Sequence, residues 1–320
     1  MEEEDSPEAK EAIKKGEELY KFLKNKNYNE IFKVILNTNN FERQMMNNYI
    51  EINKSKSIIY IIETELNENG NLKEILAYMF YNPYELDARL LHNAFHSLKK
   101  DKKLIIEIFA SRPKWYLELI DQEYKRIFKN SLRSEIEKKK KDFNKFLLCL
   151  LDTERQVGKH IDIKEAENLV EEMLKKGLKV YGTDLKLFKK VFVEKSREDL
   201  IIISRIYFIK TKNTNLYQAC TLQVGGDNKE LLKALVYCIC DPSHYFGHLL
   251  KKALFGMKTN TKAINRILAF RSEIDIDVIR NKYKVETGRE LIDDIKGTIK
   301  GNYGAFLCLL IQKNPSKAQK

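Results

Sequence analysis

The chain has 320 residues, and 43% of them are hydrophobic, which is enough apolar material for a folded core. Only 13 glycines and 5 prolines are present, which argues against a β-sandwich, a glycine-rich nucleotide fold or a low-complexity chain, and favours long helices. The formal net charge of +12 predicts attraction to phosphate, either on nucleic acid or on an anionic lipid surface.

The beginning of the chain is acidic, because residues 1–5 read MEEED. It lacks the basic and then apolar pattern of a signal peptide, and no later run approaches 18 apolar residues, so we expect a cytoplasmic protein that does not span a membrane. The odd number of cysteines and their positions in apolar runs predict reduced thiols, mostly in the core. They are Cys149, Cys220, Cys238, Cys240 and Cys308.

An internal repeat dominates the sequence. Residues 82–151 align with residues 241–310 at an offset of 159 without a gap, and weaker copies at residues 31–80 and 188–237 precede each of them. The chain therefore divides into four units of about 70 residues. The expected boundaries are an acidic tail at 1–14, repeat 1 at 15–80, repeat 2 at 81–151, a linker at 152–165, repeat 3 at 166–238, repeat 4 at 239–312 and a C-terminal tail at 313–320.

Each unit is expected to contain five short helices, so the chain is all-α. In the last unit, Asp241-Pro242 is typical of a helix start, and the apolar spacing predicts a second helix near 262–270. The segment beginning at Ser272 resembles a capping box that opens a third helix towards Tyr283. Residues 290–295 and 303–311 would form the fourth and fifth helices.

The residues of this last unit are similar to the fourth repeat of an annexin. The resemblance is carried by residues 253–260 (ALFGMKTN), 270–276 (FRSEIDI), 279–283 (IRNKY) and 291–297 (LIDDIKG). Glu107 to Arg112 resembles the second repeat, and Lys179 to Asp184 the third. The likeness covers about residues 15–312. It implies four five-helix repeats that form a slightly curved disc.

The resemblance also implies a function. Annexins are peripheral proteins of the cytosolic membrane face, without enzymatic activity, in which calcium bridges loops on the convex face to acidic phospholipid. The calcium site consists of a G-x-G-T loop between the first two helices and an Asp or Glu 39 residues after the threonine position. Its hard oxygen ligands match the preference of Ca²⁺.

No repeat of this chain retains the complete calcium pattern. Repeat 4 has Lys258 at the second glycine and Thr298 at the acid position, and repeat 2 has Lys139 at the acid position. Repeat 1 retains an acid, Glu65, after a loop without glycine. Repeat 3 offers the best residual calcium site, of low affinity, which would use Val180, Gly182, Thr183 and Asp227.

Lysines stand where calcium ligands are lost. Two loops of repeat 2 are expected to be adjacent and to form a basic patch that binds anionic phospholipid without calcium. Calcium would then not be required, although it could still bind weakly. The predicted phospholipid-binding residues are Lys99, Lys100, Lys102, Lys103, Lys138, Lys139, Lys140, Lys141 and Lys258.

Other readings compete with this one. A charge run is commonly only a solvated loop, and the protein could be an interaction or cytoskeletal scaffold that keeps the fold without binding membranes. Its partner would bind the N-terminal tail or the concave face. A nucleic-acid binder is less favoured, because the lysine loops lack arginines and stacking aromatic residues, and we expect no nucleic acid. The pairs His92/His96 and His244/His248 could hold zinc, but packing is the simpler role. No catalytic motif is present.

Overall fold

The computed structural model describes residues 7–97, 101–139, 141–159, 161–176, 185–223 and 226–313. These residues form twenty α-helices and one π-helix, with no strand in the described part of the chain. The all-α prediction is confirmed. No helix in these ranges combines the length and the apolarity that crossing a bilayer requires.

The first ten helices belong to the first two repeats. They are α1 (Pro7–Lys24), α2 (Tyr28–Leu36), α3 (Asn40–Lys54), α4 (Ile58–Thr64), α5 (Gly70–Phe80), α6 (Pro83–His96), α7 (Lys102–Ser111), α8 (Lys114–Phe128), α9 (Leu132–Glu137) and α10 (Asp142–Asp152).

The other ten belong to repeats 3 and 4. They are α11 (Ile163–Lys176), α12 (Leu185–Phe188) with the π-helix Lys189–Glu194, α13 (Arg197–Lys210), α14 (Leu216–Gln223), α15 (Gly226–Cys240), α16 (Pro242–Phe255), α17 (Thr261–Arg271), α18 (Ile276–Thr287), α19 (Leu291–Thr298) and α20 (Gly301–Gln312).

The repeats share local signals. The third helices of repeats 1, 2 and 4 all end in a left-handed residue, namely Ser55, Lys129 and Gly288. A left-handed residue at this position satisfies carbonyl groups left open at the end of a helix and redirects the chain. The turn before the fourth helix is therefore built in the same way three times.

One predicted helix start was wrong. Ser272 does not open α18 but lies at the C-terminal end of α17, and α18 begins at Ile276 after Asp275, whose side chain makes no capping hydrogen bond. The acid of the expected capping box, Asp275, accepts instead from Arg271 Nε (2.7 Å). The neighbouring Glu273 is bound by the guanidinium of Arg43 (Nη2 to Oε1, 2.6 Å) and the ammonium of Lys313 (3.2 Å). Asp275 therefore pairs with the last residue of α17 and does not close a capping box with Ser272.

The chain forms two compact units. The first unit consists of the described residues up to Pro83 and from Phe246 onwards, and it joins repeats 1 and 4. Helix α5 packs against α17, and the fully buried Asn265 donates to the Asn71 carbonyl (3.0 Å) and to Glu74 (2.7 Å), and accepts from Tyr303 (2.7 Å). Buried polar groups that are satisfied in this way fix how the helices meet.

The second unit, Tyr84 to Tyr245, joins repeats 2 and 3. Helix α7 packs against α15, and the rings of Phe146 and Phe188 stack with centroids 4.1 Å apart. A fully buried ion pair links Arg112 Nε to Asp87 (2.9 Å). Residues 153–162 connect α10 to α11 and lie within the predicted linker.

All five cysteines are free thiols. Cys220, Cys238 and Cys308 are buried, whereas Cys149 and Cys240 are half-buried. Burial raises the pKa of the Cys220 thiol to about 12, so this residue is a neutral core side chain at pH 7.

The ion pair between Arg43 and Glu273 generates the first testable prediction. Replacing Glu273→Gln leaves a buried guanidinium without a carboxylate. Breaking a buried pair costs roughly 3–5 kcal/mol, and less where one partner is part-exposed, so we expect a loss of about 2 kcal/mol in the free energy of unfolding. Urea unfolding followed by circular dichroism measures this loss.

Glu30→Gln serves as the control, because Glu30 forms only an exposed pair with Lys33, and its replacement should change the stability by less than about 0.5 kcal/mol.

The pair also predicts a pH dependence. Burial alone would raise the pKa of Glu273, but Arg43 and Lys313 outweigh it and hold that pKa below the ordinary value. The carboxylate therefore contributes stability above its unfolded pKa and loses it as the pH falls through the folded pKa. The difference between parent and Glu273→Gln should narrow below about pH 4.5, and equal losses in both variants at pH 7 would refute the role of the pair.

Candidate functional site

The candidate site consists of two connections in each repeat, one between the first and second helices and one between the fourth and fifth. In repeat 1 these are residues 25–27 and 65–69, and in repeat 4 they are 256–260 and 299–300. The residue expected to supply the acid follows the N-cap of the fourth helix by eight positions in three repeats. It is Glu65 after Ser57, Lys139 after Ser131 and Thr298 after Glu290.

Repeat 1 shows the two connections in contact. Glu65 begins the second connection, and one of its oxygens accepts from Lys24, the last residue of α1, while the other accepts from Lys56 at 2.7 Å. These lysine hydrogen bonds hold the pKa of Glu65 below its ordinary value. The one acid that matches the calcium pattern in the described repeats is therefore occupied by two ammonium groups.

In repeat 2 the two connections meet at a glutamate that sequence reasoning did not single out. Glu135 is buried, and its oxygens lie 2.6 Å from Lys138 Nζ and 3.5 Å from His96 Nε2. Burial alone would raise the pKa of Glu135, but Lys138, His96 and Asn130 outweigh it and lower that pKa. The signal available in the sequence was a glutamate three residues before the lysine run.

The predicted lysines of repeat 2 have different surroundings. Lys103, Lys139 and Lys141 are exposed and form no ion pair with any described residue. Lys138 pairs with Glu135, as above. Lys99, Lys100 and Lys140 lie outside the described residues.

Two histidines line the same end of repeat 2. His92 stacks on Phe128 with centroids 3.7 Å apart, and its Nδ1 lies 3.0 Å from the Tyr124 hydroxyl. Burial, followed by the charge of His96, lowers the pKa of His92. In the ranges that the structure describes, no group of three or more His, Cys, Asp or Glu side chains is placed to hold a metal ion.

The structure describes only part of the predicted site in repeat 3. Val180, Gly182 and Thr183 lie outside the described residues. Asp227 lies in the first turn of α15, where its Oδ2 accepts from Lys102 Nζ at 2.5 Å. The predicted calcium ligand and one of the predicted phospholipid-binding lysines are thus partners of each other.

Repeat 4 presents an apolar and basic loop. Met257 is fully exposed, Phe255 is 49% exposed, and Lys258 beside them is exposed. The loop is closed by a hydrogen bond from Asn260 N to the Ala253 carbonyl (2.8 Å). A side chain at Gly256 would place its Cβ 3.0 Å from the Lys252 carbonyl oxygen, so the turn favours glycine there.

The residues of the described loops do not fit calcium. Ca²⁺ takes six to eight oxygen ligands, usually with at least one carboxylate. In repeat 1 the carboxylate is bound by lysines, in repeat 2 a lysine replaces it, and in repeat 4 the exposed Thr298 replaces it. An ammonium group close to the ion would oppose binding by Coulomb repulsion.

Comparisons with known proteins agree with this architecture. The annexin family profile matches residues 86–150 and 245–310. Annexin A13 of Mus musculus is 26% identical over 304 residues, covering 94% of this chain and 95% of its own. Annexin A8 of Pan troglodytes is 28% identical, with 94% and 92% covered.

Solved structures give the same result. A variant of annexin A8 with an intact N-terminus superposes with a TM-score of 0.86 at 26% identity, covering 94% of each chain. Calcium-bound annexin (Sm)1 superposes with a TM-score of 0.79 at 22% identity, covering 94% of this chain and 90% of its own. The helices of the described residues, the repeat pattern and these matches support membership of the annexin family, whose members generally bind calcium and phospholipid as peripheral, non-enzymatic membrane proteins.

Proposed function

We propose that this protein binds anionic phospholipid on the cytosolic face of a membrane mainly through lysines, with little dependence on calcium. The observation that carries the proposal is the placement of lysine at the calcium positions of two repeats. In repeat 1, Lys24 and Lys56 bind the carboxylate of Glu65, and in repeat 2, Lys139 replaces the carboxylate. An ammonium at the membrane surface attracts a lipid phosphate directly, so no bridging ion is required.

The charge at repeat 2 is large enough to matter. A lysine near an anionic leaflet contributes about 1 kcal/mol. Lys103, Lys139 and Lys141 are exposed without an ion-pair partner in the described ranges, and Lys138 is 55% exposed although it pairs with Glu135. The three unpaired side chains alone would supply about 3 kcal/mol of attraction. Lys99, Lys100 and Lys140 would add to it.

Repeat 4 adds an apolar contribution. Met257 and Phe255 are exposed on the loop that carries Lys258. Burying a side chain of this size in an apolar phase is worth about 1.5–3 kcal/mol. Lys258 would then contact a phosphate at the level of the headgroups.

The residual calcium site belongs to repeat 3. Val180, Gly182, Thr183 and Asp227 would form it at low affinity, and the ion would have to displace Lys102 from Asp227. We also propose the repeat boundaries 15–80, 81–151, 166–238 and 239–312, each of which contains most of five helices, although α1, α10, α11 and α15 extend past them by one to eight residues.

A protein partner would bind at the N-terminal tail or the concave face. The scaffold without membrane binding is the second candidate, which the next experiment separates from the first.

The lysine proposal predicts the behaviour of a fourfold variant. Lys138, Lys139, Lys140 and Lys141 replaced by Gln should remove most binding to phosphatidylserine liposomes in chelator, because the local charge falls by four. The melting temperature should change little, since surface substitutions usually alter stability by less than about 0.5 kcal/mol. Co-sedimentation measures the binding.

The matched control replaces four exposed lysines away from the connections between helices 1–2 and 4–5, Lys125, Lys129, Lys164 and Lys212. Both variants lower the net charge from +12 to +8, so only position distinguishes them. The control should keep most of the binding. If the loop variant sediments as well as the parent, the lysines are a solvated loop and the scaffold becomes the better hypothesis.

A gain-of-function variant tests why calcium is lost. Lys258→Gly together with Thr298→Glu would complete the annexin pattern in repeat 4, with the glycine carbonyls and a carboxylate in place. Calorimetric titration should then show one new calcium site, in the range of about 10⁻⁴–10⁻³ M typical of weak modules. Lys258→Gly alone should not bind, and a double variant without calcium binding would show that other loop features abolish the site.

A further inference from the structure

A pocket of about 260 Å³ lies within the second unit, between repeats 2 and 3. It is formed at the C-terminal ends of α7, α10 and α15 and at the end of the π-helix. The lysine connections of repeat 2 precede α7 and α10 at their opposite ends. A ten-residue helix is about 15 Å long, so this pocket is separate from the proposed lipid-binding loops.

Four cationic side chains line the pocket, and two of them are already neutralised by carboxylates. Arg112 pairs with Asp87, and Lys114 pairs with Glu118 and lies 3.7 Å from Glu154. These two cations have little charge to offer a further anion.

The other two cations have no carboxylate partner among the described residues. Arg155 donates from Nη1 to the Lys195 carbonyl and from Nη2 to the Phe192 carbonyl, each at 2.5 Å. Arg197 donates from Nη2 to the Cys240 carbonyl at 3.0 Å. Because a guanidinium carries five N–H groups, each retains donors for a ligand. Two guanidinium groups, the half-buried Arg155 and the exposed Arg197, therefore line the pocket without a carboxylate partner in the described residues. The lining carboxylate, Glu154, lies beside Lys114.

Burial increases the cost of leaving Arg155 without a carboxylate partner. Burial lowers the pKa of Arg155 to about 10, which keeps it charged at pH 7 but reflects the cost of placing it away from water without a counter-ion. Charged groups in such surroundings are normally paired. A bound anion would supply the missing partner, and carboxylates and phosphates match the guanidinium fork best.

Apolar side chains form part of the lining of the pocket. They include Phe109, Leu150, Val193 and Leu235, all buried. The volume is below the range of about 300–1,000 Å³ typical of drug-sized ligands. The geometry therefore favours a small molecule with one charged end and one apolar end over a free inorganic ion.

We propose that this pocket, which we call the guanidinium pocket, binds a small organic anion whose carboxylate or phosphate contacts Arg155 and Arg197. The apolar body of the ligand packs against the apolar side chains of the lining. The proposal is independent of the lipid-binding function, because none of the loop lysines lines the pocket.

Calorimetric titration of the full chain tests the proposal with four probes. Hexanoate and hexyl phosphate carry the two candidate heads on the same apolar body, hexanol lacks the charge, and inorganic phosphate lacks the body. We expect at least one of the two amphiphilic anions to bind at least tenfold more tightly than hexanol and inorganic phosphate. Whichever of the two binds more tightly identifies the head group.

Matched variants locate the binding. Arg197→Gln should weaken binding of the preferred anion at least tenfold, whereas Arg205→Gln, an exposed arginine two turns along the same helix and outside the lining, should bind as the parent does. Arg155→Gln should also weaken binding of the preferred anion, but Arg155 also donates hydrogen bonds to two backbone carbonyl groups. Arg197→Gln therefore carries the test if Arg155→Gln unfolds. The variant with Lys138 to Lys141 replaced by Gln should bind normally.

Several results would overturn the proposal. They are binding of both amphiphilic anions no tighter than that of hexanol or inorganic phosphate, no heat with either amphiphilic anion at millimolar concentration, or equal weakening by Arg197→Gln and Arg205→Gln. Loss of anion binding in the lysine-loop variant would place the site on the loops. Each result leaves the lipid-binding proposal to its own liposome test.

Discussion

A lysine ammonium and a calcium ion compete for the same oxygen atoms, and the function proposed for the loops of this protein depends on this competition. Calcium needs several hard oxygens free of other cations. In repeat 1, Lys24 and Lys56 occupy both oxygens of Glu65, and in the second unit Lys102 occupies an oxygen of Asp227. In the proposed function, lysines of the chain supply the positive charge that annexins generally obtain from bound calcium.

The packing of the helices tolerates the replacement of calcium ligands by lysine in the loops. Buried ion pairs and amide networks inside each unit, Arg43 with Glu273 in the first and Arg112 with Asp87 in the second, hold the helices from within. The loops at the helix ends lie outside these networks. The charge of their side chains can change from negative to positive without disturbing the core, since surface substitutions away from such networks rarely alter stability strongly.

Much of the fold could be predicted from the sequence. Helix periodicity and a gapless repeat indicated five helices in each unit, because both depend on short-range spacing that the sequence displays directly. The capping-box prediction at Ser272 failed because the acid of the box, Asp275, accepts from Arg271 at the end of α17. The neighbouring Glu273 is bound by Arg43, 230 residues away in sequence. A long-range partner of this kind leaves no local signal.

The candidate site was only partly predictable. Lysines at the calcium positions could be read from an alignment of the repeats, but their partners could not. That Lys102 pairs with Asp227 depends on the packing of α7 against α15 from another repeat. Glu135, which joins Lys138 and His96, was missed because its role depends on burial. The guanidinium pocket likewise joins residues from 109 to 242 that no motif connects.

Binding to phosphatidylserine liposomes in excess chelator, measured as the salt concentration rises, tests the central claim most directly. Electrostatic attraction by built-in lysines should give binding without calcium that falls steeply with salt, because the Debye length shrinks from about 10 Å at 0.1 M to about 3 Å at 1 M. Added calcium should change this binding little. Absence of binding in chelator, with full binding restored by calcium, would contradict the account.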